Sequence, residues 1–239
     1  MFYHIGFGRE DLGKNPPCIA LISGDPERSQ YIAQTYLKKV KLLSDHRGLN
    51  SYLGYLENGK PLLIATSGMG APSMSIVVNE LVQVGINKIV RIGTCGSIQP
   101  HVEVGSVVIS QGSLCRQGAA NDIAPPEYPA VADPFLTVAL ANTAKKLNHN
   151  YHLGITASVD TFYEGQERTE SSANQHLQLW LKGITAQYRH LNILNYEMES
   201  GTLLKMAGVY GFAAACICCL LYTSPSPRDL STSRMPSSA

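Results

Sequence analysis

The sequence lacks a surplus of charge of either sign. Its 239 residues include 19 Lys and Arg against 18 Asp and Glu, which gives a formal charge of +1 at pH 7. A protein that binds nucleic acid or an anionic membrane through its overall field carries a broad basic surface. We therefore expect neither nucleic acid nor a membrane as a partner. Any anion that this chain binds should be small and held locally.

Long hydrophobic segments are missing as well. The longest apolar run, residues 212–222, is much shorter than the roughly 18 residues of a spanning helix, and a buried strand explains it better. Residues 1–6 lack the basic stretch followed by an apolar stretch that begins a secretory signal. From the sequence we expect a cytoplasmic protein.

Cysteines are few and show no paired spacing. The sequence has six, mostly inside apolar stretches and without the neighbouring histidines that a zinc site would need. They are Cys18, Cys95, Cys115, Cys216, Cys218 and Cys219. We expect buried, reduced thiols and no metal site.

Short apolar runs that enter glycine-containing turns recur along the chain and predict strands. The first three are residues 18–23, 62–66 and 88–92, followed by Gly24-Asp25-Pro26, Gly68-Met69-Gly70 and Gly93-Thr94-Cys95-Gly96. A hairpin is predicted at 50–64, and further strands at 105–110, 154–159 and 213–219. Helical patterns cover 27–37, 71–84, 134–147 and 200–207. Together they predict an α/β fold, a single domain with a central mixed sheet flanked by helices.

The composition changes near residue 221. Residues 222–239 are rich in Ser and Pro, with Pro225, Pro227 and Pro236, and have little apolar content. Such a segment buries no core face and supports no helix. We therefore expect a folded domain over residues 1–221 and a disordered, non-native tail over residues 222–239.

Two arginines follow or interrupt predicted strands and are candidates for anion binding. Arg28 lies just after the turn at Gly24, where backbone N–H groups and a helix N-terminus favour a phosphate. The alternative is a helix-capping turn with a surface arginine. Arg91 interrupts an apolar strand shortly before the hydroxyl of Thr94, and a buried arginine needs a partner. That partner is either an acidic neighbour or a phosphate shared with Arg28.

Two later segments carry groups suited to a nucleoside. Phe162, Gln166 and Arg168 offer a ring, an amide and a guanidinium, which suit a flat heterocycle with donors and acceptors. A charged surface loop is the alternative. Glu199 precedes a helical pattern, and its carboxylate could accept hydrogen bonds from the vicinal hydroxyls of a ribose. An acidic first helical turn also needs no reason beyond the helix dipole.

Four motifs in order resemble one family. They are Gly24-Asp25-Pro26-x-Arg28, Arg91-Ile92-Gly93-Thr94, residues 160–168 (DTFYEGQER) and residues 195–200 (NYEMES). Over about residues 3–219 the chain resembles the uridine phosphorylases of the nucleoside phosphorylase family. The Phe-x-x-x-Gln-x-Arg element separates these from their purine-acting relatives. The resemblance implies a distorted, barrel-like sheet. It also implies reversible phosphorolysis of uridine to uracil and ribose 1-phosphate, with phosphate as co-substrate and no cofactor.

The resemblance also implies a role for each site residue. Arg91, Gln166, Arg168 and Glu199 would be the catalytic residues. Phosphate would be bound by Gly24, Arg28, Arg91 and Thr94, ribose by Met198 and Glu199, and uracil by Phe162, Gln166 and Arg168. Arg47 would reach the phosphate and His4 the ribose 5′-hydroxyl from a neighbouring subunit. A homodimer is therefore the expected minimal active unit, and a homohexamer the expected assembly.

Two departures from the family accompany this resemblance. Gly48 stands where some relatives carry a glutamate that contributes to a monovalent cation site, so a bound potassium ion is not expected. The family's flap and final helix are not recognisable after residue 220, and we expect the chain as written to be unstable or inactive. The alternative functions are a purine nucleoside phosphorylase, a nucleosidase of the same family, and a non-catalytic nucleoside-binding protein.

Overall fold

Nine strands and six α-helices form within residues 1–223, the part of the chain that the computed structural model describes. The strands are β1 (Ile19–Ser23), β2 (Lys38–Ser44), β3 (Ser51–Tyr55), β4 (Pro61–Thr66), β5 (Lys88–Ser97), β6 (Val107–Arg116), β7 (Tyr151–Val159), β8 (Ile193–Glu197) and β9 (Ala213–Thr223). The helices are α1 (Pro26–Tyr36), α2 (Ala71–Gln83), α3 (Gly118–Asn121), α4 (Pro134–Lys146), α5 (Ile184–His190) and α6 (Ser200–Tyr210).

The nine strands form one mixed sheet, half of which closes into a barrel. The strand order is β2-β3-β4-β1-β5-β8-β7-β6-β9, and β9 pairs back with β5, so five strands form a closed ring. The pairs β1–β4, β1–β5, β5–β9, β6–β7 and β7–β8 are parallel, whereas β2–β3, β3–β4, β5–β8 and β6–β9 are antiparallel. This confirms the predicted mixed, barrel-like α/β fold.

Helical periodicity explains how α2 packs on the sheet. Met74, Val77, Val78 and Leu81 follow the i, i+3, i+4, i+7 spacing, and all four side chains are fully buried. They share one core cluster with residues of β1, β4, β5 and α6, so the helix covers one face of the open part of the sheet. Burial of each such side chain stabilises the fold by about 1.5 to 3 kcal/mol.

The predicted turn at Gly93-Thr94-Cys95-Gly96 is wrong. β5 continues through these residues to Ser97, because β9 runs parallel to it along its whole length. Close packing, and not a turn, explains why residue 93 is a glycine. A Cβ atom there would lie 3.0 Å from Cys218 Sγ and 2.9 Å from Nη2 of Arg91, so only glycine lets the two strands and the arginine fit.

The sequence patterns also missed β2, β8 and α5. β2 is an edge strand with mostly exposed side chains, so it has no apolar face to signal it. β8 is buried along its whole length although it contains Asn195 and Glu197, which break the apolar pattern. α5 has only seven residues, too short for a helical period to stand out.

No helix within residues 1–223 has the length and apolar character needed to cross a bilayer. β9 extends through Thr223, two residues past the predicted domain boundary. The rest of the predicted tail, residues 224–239, lies outside the described residues.

Candidate active site

A cavity of about 380 Å³ opens beside β5, at the carboxyl ends of β1, β4, β7 and β8. Strand ends that converge in this way are where open α/β sheets bind ligands. Eight of the predicted site residues line the cavity: Gly24, Arg28, Arg91, Thr94, Phe162, Gln166, Met198 and Glu199. The other lining residues within 1–223 are Asp25, Pro26, Met69 and Glu197.

Arg91 forms a buried ion-pair cluster on the floor of this cavity. Only 4% of the residue is exposed, and its Nε donates to Oε2 of Glu197 at 3.3 Å while Nη2 donates to Oε2 of Glu199. The acidic partners considered in the sequence analysis are therefore present. The third nitrogen, Nη1, is buried and has no hydrogen-bond partner among residues 1–223. It lies near the turn that follows β1 (residues 24–26, called the β1 turn below), because a Cβ atom on Gly24 would be 3.9 Å from it.

Glu197 supports this cluster, and sequence reasoning did not select it. Its Oε2 accepts the backbone N–H groups of Glu199 and Ser200, each at 2.8 Å, and its Oε1 accepts the hydroxyl of Ser200 at 2.7 Å. The carboxylate thus caps the first turn of α6 and holds Arg91 at the same time. The motif NYEMES could have pointed to Glu197. It lies at the end of β8, two residues before Glu199, and both carboxylates line the cavity.

Gln117 is a second residue that the sequence did not single out. Its side chain is 1% exposed and its Nε2 donates to the carbonyl of Met198 at 2.6 Å. Its Oε1 accepts from both the backbone N–H and the hydroxyl of Thr202, at 2.9 and 2.8 Å. Gln117 therefore fixes the backbone between β8 and α6. No sequence pattern marks this role, since it arises from a contact between distant segments.

Burial and charge shift the pKa values of the cluster. Burial raises the pKa of Glu199, and the nearby Glu197 carboxylate adds to the rise, while Arg91 and the N–H of Gly70 oppose it. Burial of Arg91 favours the neutral guanidine and would lower its pKa. The charges of Glu199 and Glu197 outweigh this effect, so the pKa of Arg91 lies above its ordinary value. Arg91 therefore stays charged, and the two carboxylates largely neutralise it.

Arg28 contributes a second guanidinium at the rim of the cavity. Its Nη1 donates to the hydroxyl of Ser23 at 3.3 Å, and its Nη2 lies 3.9 Å from Oδ2 of Asp25. Asp25 also caps α1, where its Oδ1 accepts the N–H of Glu27 at 2.9 Å. The helix-capping alternative is thus present in the structure, and Arg28 nevertheless lines the cavity.

Gln166 and Arg168 form a buried polar pair at the opposite side. The residues are 1% and 6% exposed, and Nε of Arg168 donates to Oε1 of Gln166 at 3.2 Å. The Arg168 guanidinium carbon lies 4.5 Å from the ring centre of Phe162, a cation–π contact. The charged-surface-loop alternative is therefore wrong for these two residues. Arg168 does not itself line the cavity, but it contacts Gln166 and Phe162, which do.

His4 and Arg47 lie elsewhere on the same chain. His4 Nδ1 is 2.6 Å from Oε1 of Glu80, and the guanidinium of Arg47 is 6.0 Å from the ring centre of Tyr3. The Tyr3 ring is 5.0 Å from that of His4, so the two predicted residues share one surface. Neither lines the cavity of its own chain. That a neighbouring subunit supplies them stays a prediction.

Comparison with known proteins agrees with the family resemblance of the sequence motifs. Residues 18–231 match the family described as the phosphorylase superfamily. A uridine phosphorylase of Klebsiella aerogenes is 42% identical over 215 residues, and that of Escherichia coli strain K12 is 41% identical over 215 residues; each match covers 90% of this chain and 83% of the relative. A DeoD-type purine nucleoside phosphorylase of Buchnera aphidicola is 35% identical over 199 residues, which are 82% of this chain and 75% of the relative. The chain therefore belongs to the phosphorylase superfamily.

Proposed function

We propose that the protein is a uridine phosphorylase, which uses inorganic phosphate to cleave uridine into uracil and ribose 1-phosphate. The observation that carries the proposal is one cavity with two kinds of group. Nη1 of Arg91, which has no hydrogen-bond partner within residues 1–223, lies near the β1 turn, and Gln166, which is hydrogen-bonded to the buried Arg168, lines the opposite side. The names of the most similar relatives support it. Phosphate is the co-substrate, so the reaction needs no cofactor, and a cytoplasmic location fits the expected substrates.

Phosphate binds between the β1 turn and Arg91. A buried N–H donor without an acceptor is costly, so an anion oxygen at Nη1 of Arg91 is favourable. Gly24 leaves room for that oxygen, and Arg28 adds a second guanidinium beside it. The hydroxyl of Thr94 is a further donor on the cavity wall.

Ribose lies over the segment between β8 and α6. Each oxygen of Glu199 accepts one protein hydrogen bond, from Gly70 N–H and from Arg91, and can accept another from a ribose hydroxyl. Met198 provides an apolar surface on the cavity wall, while Gln117 holds its carbonyl. Because the carboxylate also contacts Arg91, ribose and phosphate are held by one connected cluster.

The chemical step separates charge, and the two ends of the cavity stabilise the two charges. As the glycosidic bond breaks, positive charge develops on the ribose and negative charge on the uracil ring. Phosphate at Arg91 attacks the ribose carbon, while the guanidinium of Arg168 and the amide of Gln166 stabilise the leaving base. The side chains of Gln166 and Arg168 are buried, so water screens their electrostatic interactions with the base only weakly.

Uridine should be cleaved much faster than inosine in the presence of phosphate, because the donors and acceptors of Gln166 and Arg168 match the edge of uracil. The measurement is the change in ultraviolet absorbance for each nucleoside at equal concentration. A purine nucleoside phosphorylase, the function of one relative at 35% identity, would reverse the order. Faster inosine cleavage would therefore contradict the proposal.

The homodimer expected from the sequence is part of this proposal, with a homohexamer as the full assembly. Among residues 1–223, three carboxylates line the cavity with only two arginines, Arg28 and Arg91, so a third cation would strengthen phosphate binding. Arg47 of a neighbouring subunit would supply it, and His4 on the same surface would reach the ribose.

Mixing two inactive variants tests the shared site. Subunits with Arg168→Ala and subunits with Arg47→Ala should each have low activity alone. In a mixed dimer one site carries both defects and the other carries neither, so activity should return after the subunits exchange. With an affinity tag on one of the two variants, native mass spectrometry checks that exchange occurs. Exchange without any gain in uracil release would mean that each chain forms its site alone.

A further inference from the structure

Glu167 lies between Gln166 and Arg168 and has an unusual backbone conformation. Its φ angle is +58°, in the left-handed region that non-glycine residues rarely adopt. Its backbone N–H donates to the carbonyl of Glu164 at 3.1 Å, and that of Arg168 donates to the carbonyl of Tyr163 at 2.7 Å. The loop that carries the base-binding pair is therefore a tight turn with Glu167 at its strained position. Such a conformation persists only where the surroundings hold it.

The side chain of Glu167 points away from the cavity and binds the start of α5. Its Oε1 accepts the backbone N–H of Gly183, and its Oε2 accepts the N–H of Thr185 at 2.9 Å. These two groups belong to the first turn of a helix, which has no internal acceptor for them. The carboxylate thus takes both hydrogen bonds at once, across 16 and 18 residues of sequence.

The helix that Glu167 contacts is itself fixed to the barrel. Ile184 and Tyr188 of α5 are buried in a core cluster with residues of β7 and β8. The hydroxyl of Thr185 lies 2.9 Å from that of Tyr196, a β8 residue next to Glu197. A continuous set of contacts therefore joins the base-binding loop to β8, the strand that leads into Met198 and Glu199.

We propose that Glu167 is a positioning residue for the uracil site: its carboxylate fastens the loop to α5 and thereby holds Gln166 in the cavity and Arg168 beside it. The inference rests on the proposed function and names a residue that touches no substrate. Its neighbours on either side are buried, at 1% and 6% exposure, so a small displacement of the loop would move both donors away from the base. Displacements of about 1 Å can lower a rate by on the order of 10²-fold.

Two variants separate the carboxylate from the backbone. Glu167→Gln keeps the size of the side chain but turns one acceptor into an amide N–H₂ facing another donor. Glu167→Gly removes the side chain and adopts the left-handed conformation without strain. If the carboxylate positions the loop, both variants should raise KM for uridine and lower kcat, together by about 10- to 10²-fold in kcat/KM. KM for phosphate should stay near the parent value.

Glu170→Gln is the matched control, because Glu170 is exposed on the same loop and its substitution makes the same change in charge. It should leave both KM values unchanged. Amide hydrogen exchange supplies a readout besides activity: exchange at Gly183 and Thr185 should be faster in both Glu167 variants than in the parent.

Each outcome decides a separate question. Parent-like kinetics for Glu167→Gly beside a defective Glu167→Gln would assign the effect to the backbone and overturn the proposal. Equal losses for uridine and phosphate would make Glu167 a general stability residue, and unchanged variants would remove it from the site. A parent that releases no uracil with phosphate would instead contradict the proposed function, and with it the uracil site.

Discussion

Replacing Arg168 with alanine should lower kcat for uridine phosphorolysis by about 10²- to 10³-fold, comparable with the loss of an oxyanion-stabilising donor. The guanidinium meets the negative charge that develops on the departing uracil, and it is nearly fully buried beside Gln166 and Phe162. Because the charge exists only as the bond breaks, the loss should fall on kcat more than on KM. Steady-state kinetics with saturating phosphate measure it.

Arg189→Ala is a suitable control for that experiment. Arg189 is an exposed guanidinium near the end of α5 whose Nε donates to the carbonyl of Ile98, and it does not line the cavity. Its removal should leave kcat unchanged. Near-parent turnover by Arg168→Ala, with a circular dichroism spectrum like that of the parent, would show that the assignment of the base site is wrong.

Replacing Arg91 with alanine should abolish efficient use of phosphate and destabilise the fold. The variant removes the donor near the β1 turn, so kcat/KM for phosphate should fall by at least about 10²-fold. It also leaves Glu197 and Glu199 buried without their counter-charge, which costs about 3 to 5 kcal/mol of unfolding free energy. Phosphate kinetics and denaturant unfolding measure the two effects separately.

The stability loss in Arg91→Ala should depend on pH in a defined direction. The pKa of Glu199 is already raised by burial above its ordinary value of 4.5, and removal of Arg91 raises it further. Because the folded-state pKa is raised, the contribution of Glu199 to stability is fully present below pH 4.5 and is lost as the pH rises through the shifted value. The deficit relative to the parent should therefore be smallest in acid and grow toward neutral pH.

The double variant Arg91→Ala/Glu199→Gln separates the two roles of Arg91. It removes one buried charge along with its partner, so it should regain part of the lost stability without regaining phosphate use. Uracil binding, measured by calorimetry, should change less than phosphate binding in both variants. Equal losses for uracil and phosphate would mean that Arg91 serves only as an ion-pair residue.

The sequence predicted the parts of the fold that follow local periodicity and turn chemistry. The runs before Gly24 and Gly68 became β1 and β4, and the helical patterns that follow became α1 and α2. The same logic failed at Gly93, because a glycine that looks like a turn signal serves the close packing of β5 against β9. Only the three-dimensional neighbours of a glycine distinguish the two reasons.

The motifs in the sequence predicted the residues of the candidate site. They did not predict the residues that hold those site residues in place. Arg91, Gln166 and Glu199 stand out because charged or amide groups break or follow apolar runs. The contacts of Gln117 with Met198 span 81 residues, and those of Glu167 with Thr185 span 18 residues. Such contacts depend on how the chain closes into the barrel, which no local pattern encodes. That is why supporting residues emerged only from the structure.

The most direct test of the proposed function is to identify the sugar product by phosphorus nuclear magnetic resonance, with uridine and inorganic phosphate in one tube. Because the chain as written is expected to be unstable or inactive, the protein in that tube carries the C-terminus of a uridine phosphorylase after Cys219. A uridine phosphorylase should consume inorganic phosphate as ribose 1-phosphate appears, in equal amount to the uracil released, and omitting phosphate should stop the release. Uracil accompanied by free ribose, with phosphate unchanged, would show a nucleosidase and contradict the account. Bound uridine with no uracil at any phosphate concentration would equally contradict it.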